Sequence, residues 1–184
     1  MSSTLVIRQL RTADGPAVRG LHDGLSERDT YLRFFTLRPA RLPQFVDRLV
    51  SDVARRAAIG AFVDDRLVGV ASYEVAPNSI EADIALVVAH QMQTNGIGTT
   101  LLQDLVSLAQ AAGLRRFTAE VLVENTAMLR VLRERGLPCT VTRAGSVNHV
   151  VVGTGRHASR RVGGPSWGGE CLWGAPPIRN TMGA

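Results

Sequence analysis

Asp83-Ile-Ala-Leu-Val-Val-Ala-His-Gln-Met-Gln-Thr-Asn-Gly-Ile-Gly-Thr-Thr-Leu-Leu102 is the stretch whose reading decides the fold. Ile84 to Val88 is an unbroken apolar run and predicts a strand buried on both faces. A polar loop follows, and helical periodicity begins at Ile97. Gly96 and Gly98 permit turn dihedrals and a close approach of main chain to ligand, so several N–H groups can converge on an anion. The helix dipole adds to that attraction. Two rival glycine loops fail. A P-loop needs a lysine, and all 21 basic residues here are arginine. A dinucleotide fingerprint needs a third glycine where Leu101 stands, and would leave its strand within a residue or two, whereas the loop from Val88 to Gly96 is long.

Working outward toward the N-terminus, Pro77, Asn78 and Ser79 turn into this strand from an antiparallel meander, Ala58–Val63 and Leu67–Val75, joined by Asp64, Asp65 and Arg66. Leu5–Leu10 reads as a first strand. Thr12 or Asp14 ahead of Pro16 starts a helix that ends near Gly24. Ser26 with Asp29 approximates a capping box for a short helix carrying Tyr31, Leu32, Phe34 and Phe35. Phe45, Val46, Leu49 and Val50 suggest another helical segment. Toward the C-terminus, Ile97, Leu101, Leu105, Leu108 and Ala112 fall on one helix face, with Gly113 as cap. Phe117–Val123 is the next strand, making a right-handed crossover with two parallel strands. Asn125 opens a helix closed by Gly136, and Val141 with Val147–Val152 form a final hairpin around Arg143, Ala144 and Gly145.

The 184 residues suit one domain over 1–153. Residues 154–184, rich in Gly, Arg and Pro, bury too little to offset their ordering entropy and are expected to be disordered. Cys139 and Cys171 give neither a disulfide framework nor a metal spacing, and His22, His90, His149 and His157 are scattered, so no metal is expected. The net charge of +5 comes without a basic stripe or a recognition motif, which argues against nucleic acid. No signal peptide opens the chain and no apolar run spans a bilayer; a soluble cytoplasmic protein, monomer or homodimer, with no membrane association is expected.

The order of a meander, a Gln93-x-x-Gly96-x-Gly98 loop feeding a helix, a parallel strand and an Asn-led helix resembles the GNAT acetyltransferases over residues 4–152. Tyr31-Leu32-Arg33-Phe34-Phe35, the loop itself, and Ala119-Glu120-Val121-Leu122 running into Glu124-Asn125 look closest to the GNAT domain of bacterial Pat-type protein lysine acetyltransferases. The resemblance implies an α/β (α+β) GNAT fold: a mixed, mostly antiparallel sheet with one parallel strand pair, flanked by helices. It also implies an N-acetyltransferase that moves acetyl from acetyl-CoA to an amine. On that likeness the pyrophosphate lies on Gln93, Thr94, Asn95, Gly96, Ile97, Gly98 and Thr99, and pantetheine lies along Leu86, Val87 and Val88 with Asn125. Taken locally, Asn125 serves equally well as a helix N-cap.

A lysine amine with a pKa near 10.4 is neutral in only about one molecule in 2,500 at pH 7, so a base assists the transfer. The branch carries an Ala-Glu pair near the start of its central strand, and here the matching pair is Ala82-Asp83. Aspartate is shorter by one bond of about 1.5 Å and more acidic. Glu81, on the same face, is the substitute candidate. Many GNATs protonate the departing thiolate with a tyrosine where this chain has Leu132, so no general acid is assigned. The acceptor implied is a protein lysine. A small-molecule amine acceptor and a non-catalytic acyl-CoA-binding domain are the alternatives.

Overall fold

The computed structural model describes residues 4–155 apart from 52, 78, 94, 134 and 135. Seven strands form one sheet: β1 (Leu5–Gln9), β2 (Arg56–Val63), β3 (Arg66–Val75), β4 (Glu81–Val88), β5 (Arg116–Leu122), β6 (Cys139–Ala144) and β7 (Val147–Gly153), in the spatial order β1-β2-β3-β4-β5-β7-β6. Every neighbouring pair is antiparallel except β4 with β5. This is the expected mixed sheet. The final hairpin folds back so that β7, not β6, lies against β5.

Strand periodicity sorts the core onto two faces. On one face α4 (Ile97–Ala111) and α5 (Thr126–Arg133) cover Ile59, Ala71, Ile84, Val88, Phe117, Val121 and Val150. On the other, α1 (Gly15–Asp23) and α3 (Leu42–Val50) bury Val18, Leu21, Val46 and Leu49 against Phe62, Val70 and Val87. Burying Val46, which is 1% exposed, contributes about 2 kcal/mol. The apolar stripe of α4 is rotated from the expected face. Ile97, Leu101 and Leu105 are buried as expected, but Leu102, Val106 and Ala109 complete the stripe while Ala112 is exposed, because the helix lies in the trough between β2–β3 and α5.

Turn chemistry follows the sequence closely. Asp64 and Asp65 both take positive φ, 47° and 64°, the left-handed pair that a two-residue hairpin requires. The helix α2 (Glu27–Phe34) starts at Ser26, whose hydroxyl accepts from Asp29 N at 3.0 Å. The expected reciprocal bond differs: the Asp29 carboxylate meets the Ser26 hydroxyl at 2.8 Å. The helix ends at Phe35 in a left-handed conformation (φ 56°). Leu132 is 1% exposed within the core, so its place holds packing and no acid.

Candidate active site

The parallel pair β4–β5 sets the geometry. Its register runs through only three partners, Glu81↔Arg116, Ala82↔Phe117 and Asp83↔Thr118. Beyond Asp83 the two strands separate, while β4 stays paired with β3 as far as Val88↔Gly69. A wedge opens between them. Which main-chain groups line it follows from phase: Ala89 N donates to Val68 O at 2.8 Å, so alternate residues 83, 85 and 87 direct their N–H and C=O groups at β3. Residues 84, 86 and 88 therefore face the wedge. Two contacts across the paired end agree with this phase: Arg115 N donates to Ile80 O at 3.3 Å and the Thr118 hydroxyl reaches Ala82 O at 3.5 Å. Of the three residues expected along an extended ligand, Leu86 and Val88 turn their main chain to the wedge. Val87 turns its main chain to β3 and its side chain into the α1–α3 core.

Above the wedge stands the start of α4. Gly96 is the N-cap in the left-handed region (φ 75°), which accounts for glycine there, and no side chain caps the helix. The first intrahelical bond is Thr100 N to Gly96 O at 3.0 Å, so the N–H groups of Ile97, Gly98 and Thr99 precede the helix's own ladder and point out of its N-terminal end. Gly98 is not held to glycine by its own surroundings. A Cβ there would sit 3.4 Å from Val131 and 3.5 Å from Leu86, where α4 passes between α5 and β4. Ile97 and Thr99 are buried, Asn95 is exposed, and Thr94 lies outside the described residues. Gln93 closes the end of β4, its Nε2 donating to Val88 O at 3.2 Å and lying 3.4 Å from Asp29. Asn125 caps α5, Oδ1 accepting from Met128 N at 3.1 Å. Its oxygen is thus committed to the cap, and contact with a ligand falls to its amide NH2.

Asp83 is half-buried at the last paired position before the wedge. Its side chain shares the face of α1–α3, where the helical cover stops at β4. Beside it a shallow groove opens toward solvent, lined by Thr118, Glu120, His149 and Val151. Glu120 and His149 are register partners on β5 and β7, with His149 Nδ1 3.5 Å from Glu120 Oε1. Glu81 is placed otherwise, for its Oε1 lies 2.9 Å from Arg116 Nη2 and that ion pair occupies it.

Residues that sequence reasoning did not single out surround Asp83. The Arg33 guanidinium from α2 lies over the rings of Phe34 and Phe45, at 4.9 and 5.1 Å. Burial pushes its pKa down to about 10, and the charge of Asp83 draws it back up. Asp29 also faces His90, Nδ1 at 3.3 Å, so the start of α2 is tied to the loop before α4. Arg33 lies inside the aromatic segment already flagged, but its charge interaction with a residue fifty positions away has no local signal.

Residues 25–137 match the model of the family described as the acetyltransferase (GNAT) family. Among solved structures, the GNAT domain of S. lividans Pat superposes with a TM-score of 0.71 at 22% identity, covering 82% of this chain and 96% of that one. The ribosomal α-N-protein acetyltransferase RimL, solved in complex with coenzyme A, gives 0.64 at 18% identity over 83% of this chain and 94% of its own. YncA of Salmonella typhimurium, solved with its cofactor acetyl-CoA, gives 0.63 at 17% identity over 84% and 96%. With the family model spanning more than half of its length, and the split parallel pair beneath an uncapped glycine-led helix, this chain belongs to the GNAT acetyltransferase family.

Proposed function

We propose that the chain transfers the acetyl group of acetyl-CoA to a primary amine, the side chain of a protein lysine. The observation that carries this reading is the three-partner pairing of β4 with β5, followed by a wedge lined by the main chain of Leu86 and Val88 under the N-terminal amides of α4. The site fits the cosubstrate on its own chemistry. An extended pantetheine arm finds strand-edge groups, and a diphosphate finds converging N–H donors with a favourable dipole. Acetyl-CoA supplies an acetyl group already activated as a thioester.

The residues of this chain do the rest. Asp83, at the mouth of the wedge, accepts a proton from the incoming ammonium, and the freed amine attacks the thioester carbonyl. The Val88 N–H faces the space where negative charge grows on the carbonyl oxygen. The coenzyme A thiolate leaves without a dedicated side-chain acid and takes its proton from solvent. The groove past Asp83 is open to solvent along the faces of β4, β5 and β7, which suits a lysine presented by a polypeptide better than a small enclosed acceptor. The catalytic unit is the domain expected over residues 1–153; Thr154, expected in the tail, is instead buried with its hydroxyl donating to Leu114 O at 2.8 Å, and residues 156–184 of the expected tail lie outside the described residues.

The deciding experiment is turnover with acetyl-CoA across lysine-containing proteins and peptides, free small amines, and a no-acceptor control. Peptide acetylation with small amines poor is the expected result. Efficient turnover of small amines alone overturns the lysine assignment. Tight acetyl-CoA binding with no turnover on any acceptor overturns the catalytic one.

A further inference from the structure

Asp83 does not stand beside neutral neighbours. Its register partner on β3 is Glu74, and the phase of the β3–β4 ladder makes them a hydrogen-bonded pair with Cα atoms about 5.5 Å apart and side chains on the same face. Like charges directly opposite one another in a sheet are destabilising, and any small polar residue would serve position 74 as a strand. The chain instead keeps a carboxylate there at 9% exposure and spends two arginines on it. Arg48 Nη2 from α3 lies 2.6 and 2.7 Å from the two Glu74 oxygens, and Arg56 Nε from β2 lies 3.7 Å from Oε1. Arg56 also donates to Ser51 Oγ and Arg48 O, at 3.1 and 3.3 Å, fixing the clamp to the end of α3.

We propose that Glu74, held by Arg48 and Arg56, is a positioning residue for amine deprotonation: its charge opposes that of Asp83 and offsets the pull of Arg33, Arg48 and Arg56, so that Asp83 stays a stronger base than those arginines alone would leave it. This rests on the reading of Asp83 as the base, where aspartate is the more acidic of the two carboxylic acids and three neighbouring arginines would make it more so. Among the described residues, the charged and polar groups near Asp83 come from several elements. Glu74 faces it from β3. Arg33 faces it from α2, drawing its proton affinity the other way. From β5 and β7 come Thr118, Glu120 and His149 across the groove, and on its own strand Glu81 is paired with Arg116. Arg48 and Arg56 stand behind Glu74. A clamp whose charges Asp83 does not feel would make no difference to its protonation.

The two readings part on the direction of a pH shift. Glu74→Gln keeps an acceptor for Arg48 but leaves both arginines uncompensated, so the acidic limb of the kcat profile moves down by about one pH unit. Plateau kcat then falls about threefold, as a weaker base with half-complete proton transfer gives, while KM for acetyl-CoA is unchanged. Arg48→Met moves the limb the opposite way, and Glu74→Asp, which keeps the charge, leaves it near its original position. The same shifts appear in a carbon-13 NMR titration of the Asp83 carboxyl, read without turnover. Asp83→Asn serves as reference: loss of the limb in that variant upholds Asp83 as base. Equal limbs and carboxyl titrations in wild type, Glu74→Gln and Arg48→Met overturn the role of Glu74 alone, as does a shift of both variants in the same direction. A limb that persists in Asp83→Asn overturns the base itself.

Discussion

Replacing Gly96 by alanine tests the loop in free-energy terms. At φ 75° an L-residue pays about 1–2 kcal/mol of backbone strain, and because nothing lies within 4 Å of the position a Cβ would take, no steric term is added. That strain divides between two readouts. If the unliganded loop keeps its shape, stability falls by about 1–2 kcal/mol, a drop of roughly 2–8 °C in Tm for a domain of this size. If the loop relaxes to escape the strain, the amides of Ile97 to Thr99 lose their alignment, and the same free energy appears as a five- to thirty-fold weaker affinity for acetyl-CoA. Gly98→Ala is the matched control. Its dihedrals lie in the ordinary helical region, and its Cβ meets Val131 and Leu86 at contact distance, so unliganded stability is unchanged or slightly raised. Thermal denaturation with and without acetyl-CoA, together with calorimetric titration, measures both halves. A Gly96→Ala protein as stable and as tightly binding as wild type, or a Gly98→Ala protein more unstable than it, refutes the argument.

Other expectations are quicker to state. Asp83→Asn retains acetyl-CoA affinity while steady-state transfer falls at least tenfold, and an unchanged rate removes Asp83 as base. Asn125→Ala loses the acceptor for Met128 N and about 1 kcal/mol of stability together with cosubstrate affinity; Asn125→Ser keeps the cap and loses affinity alone, and equal affinity in both variants and wild type excludes a ligand role. His22, 5% exposed between Phe34 and Phe45, has its pKa lowered to about 4 from 6.5, mainly by burial. Its folded value lies below its unfolded one, so its contribution is whole above pH 6.5 and is lost as pH falls toward 4, amounting to about 3 kcal/mol. Urea melts of His22→Phe flatten in that window if this is right, and an unaltered pH slope contradicts it. Asp14, lowered to about 2 chiefly by its hydrogen bond with Arg8, titrates below that window.

The readable part of this protein is its local part. An apolar run, two glycines at fixed spacing and a helix period lie within twenty consecutive residues, and Gly96, Gly98 and the strand before them stand where those signals put them. Asp83 was singled out only through the resemblance, as the residue standing where the branch carries the glutamate of its Ala-Glu pair. What surrounds Asp83 was not. Glu74 reaches it through strand register, Arg33 through the packing of α2, and Arg48 through the docking of α3, and none of these leaves a periodicity or a spacing in the sequence. Strand phase was equally hidden: a continuous apolar run gives no indication that Leu86 and Val88 face the wedge while Val87 faces β3. The hairpin that ends the fold could be read as a hairpin, but not which of its strands would lie beside β5, because both carry the same alternation.

The account rests on one bend of main chain at the head of α4 holding a diphosphate while the edge of β4 holds the arm that follows it. A crystal structure of the chain soaked with coenzyme A measures this directly. The account predicts diphosphate oxygens on the N–H groups of Ile97, Gly98 and Thr99, and the pantetheine between β4 and β5 beside Leu86 and Val88. Coenzyme A bound elsewhere, or the bend left empty at saturating ligand, contradicts it.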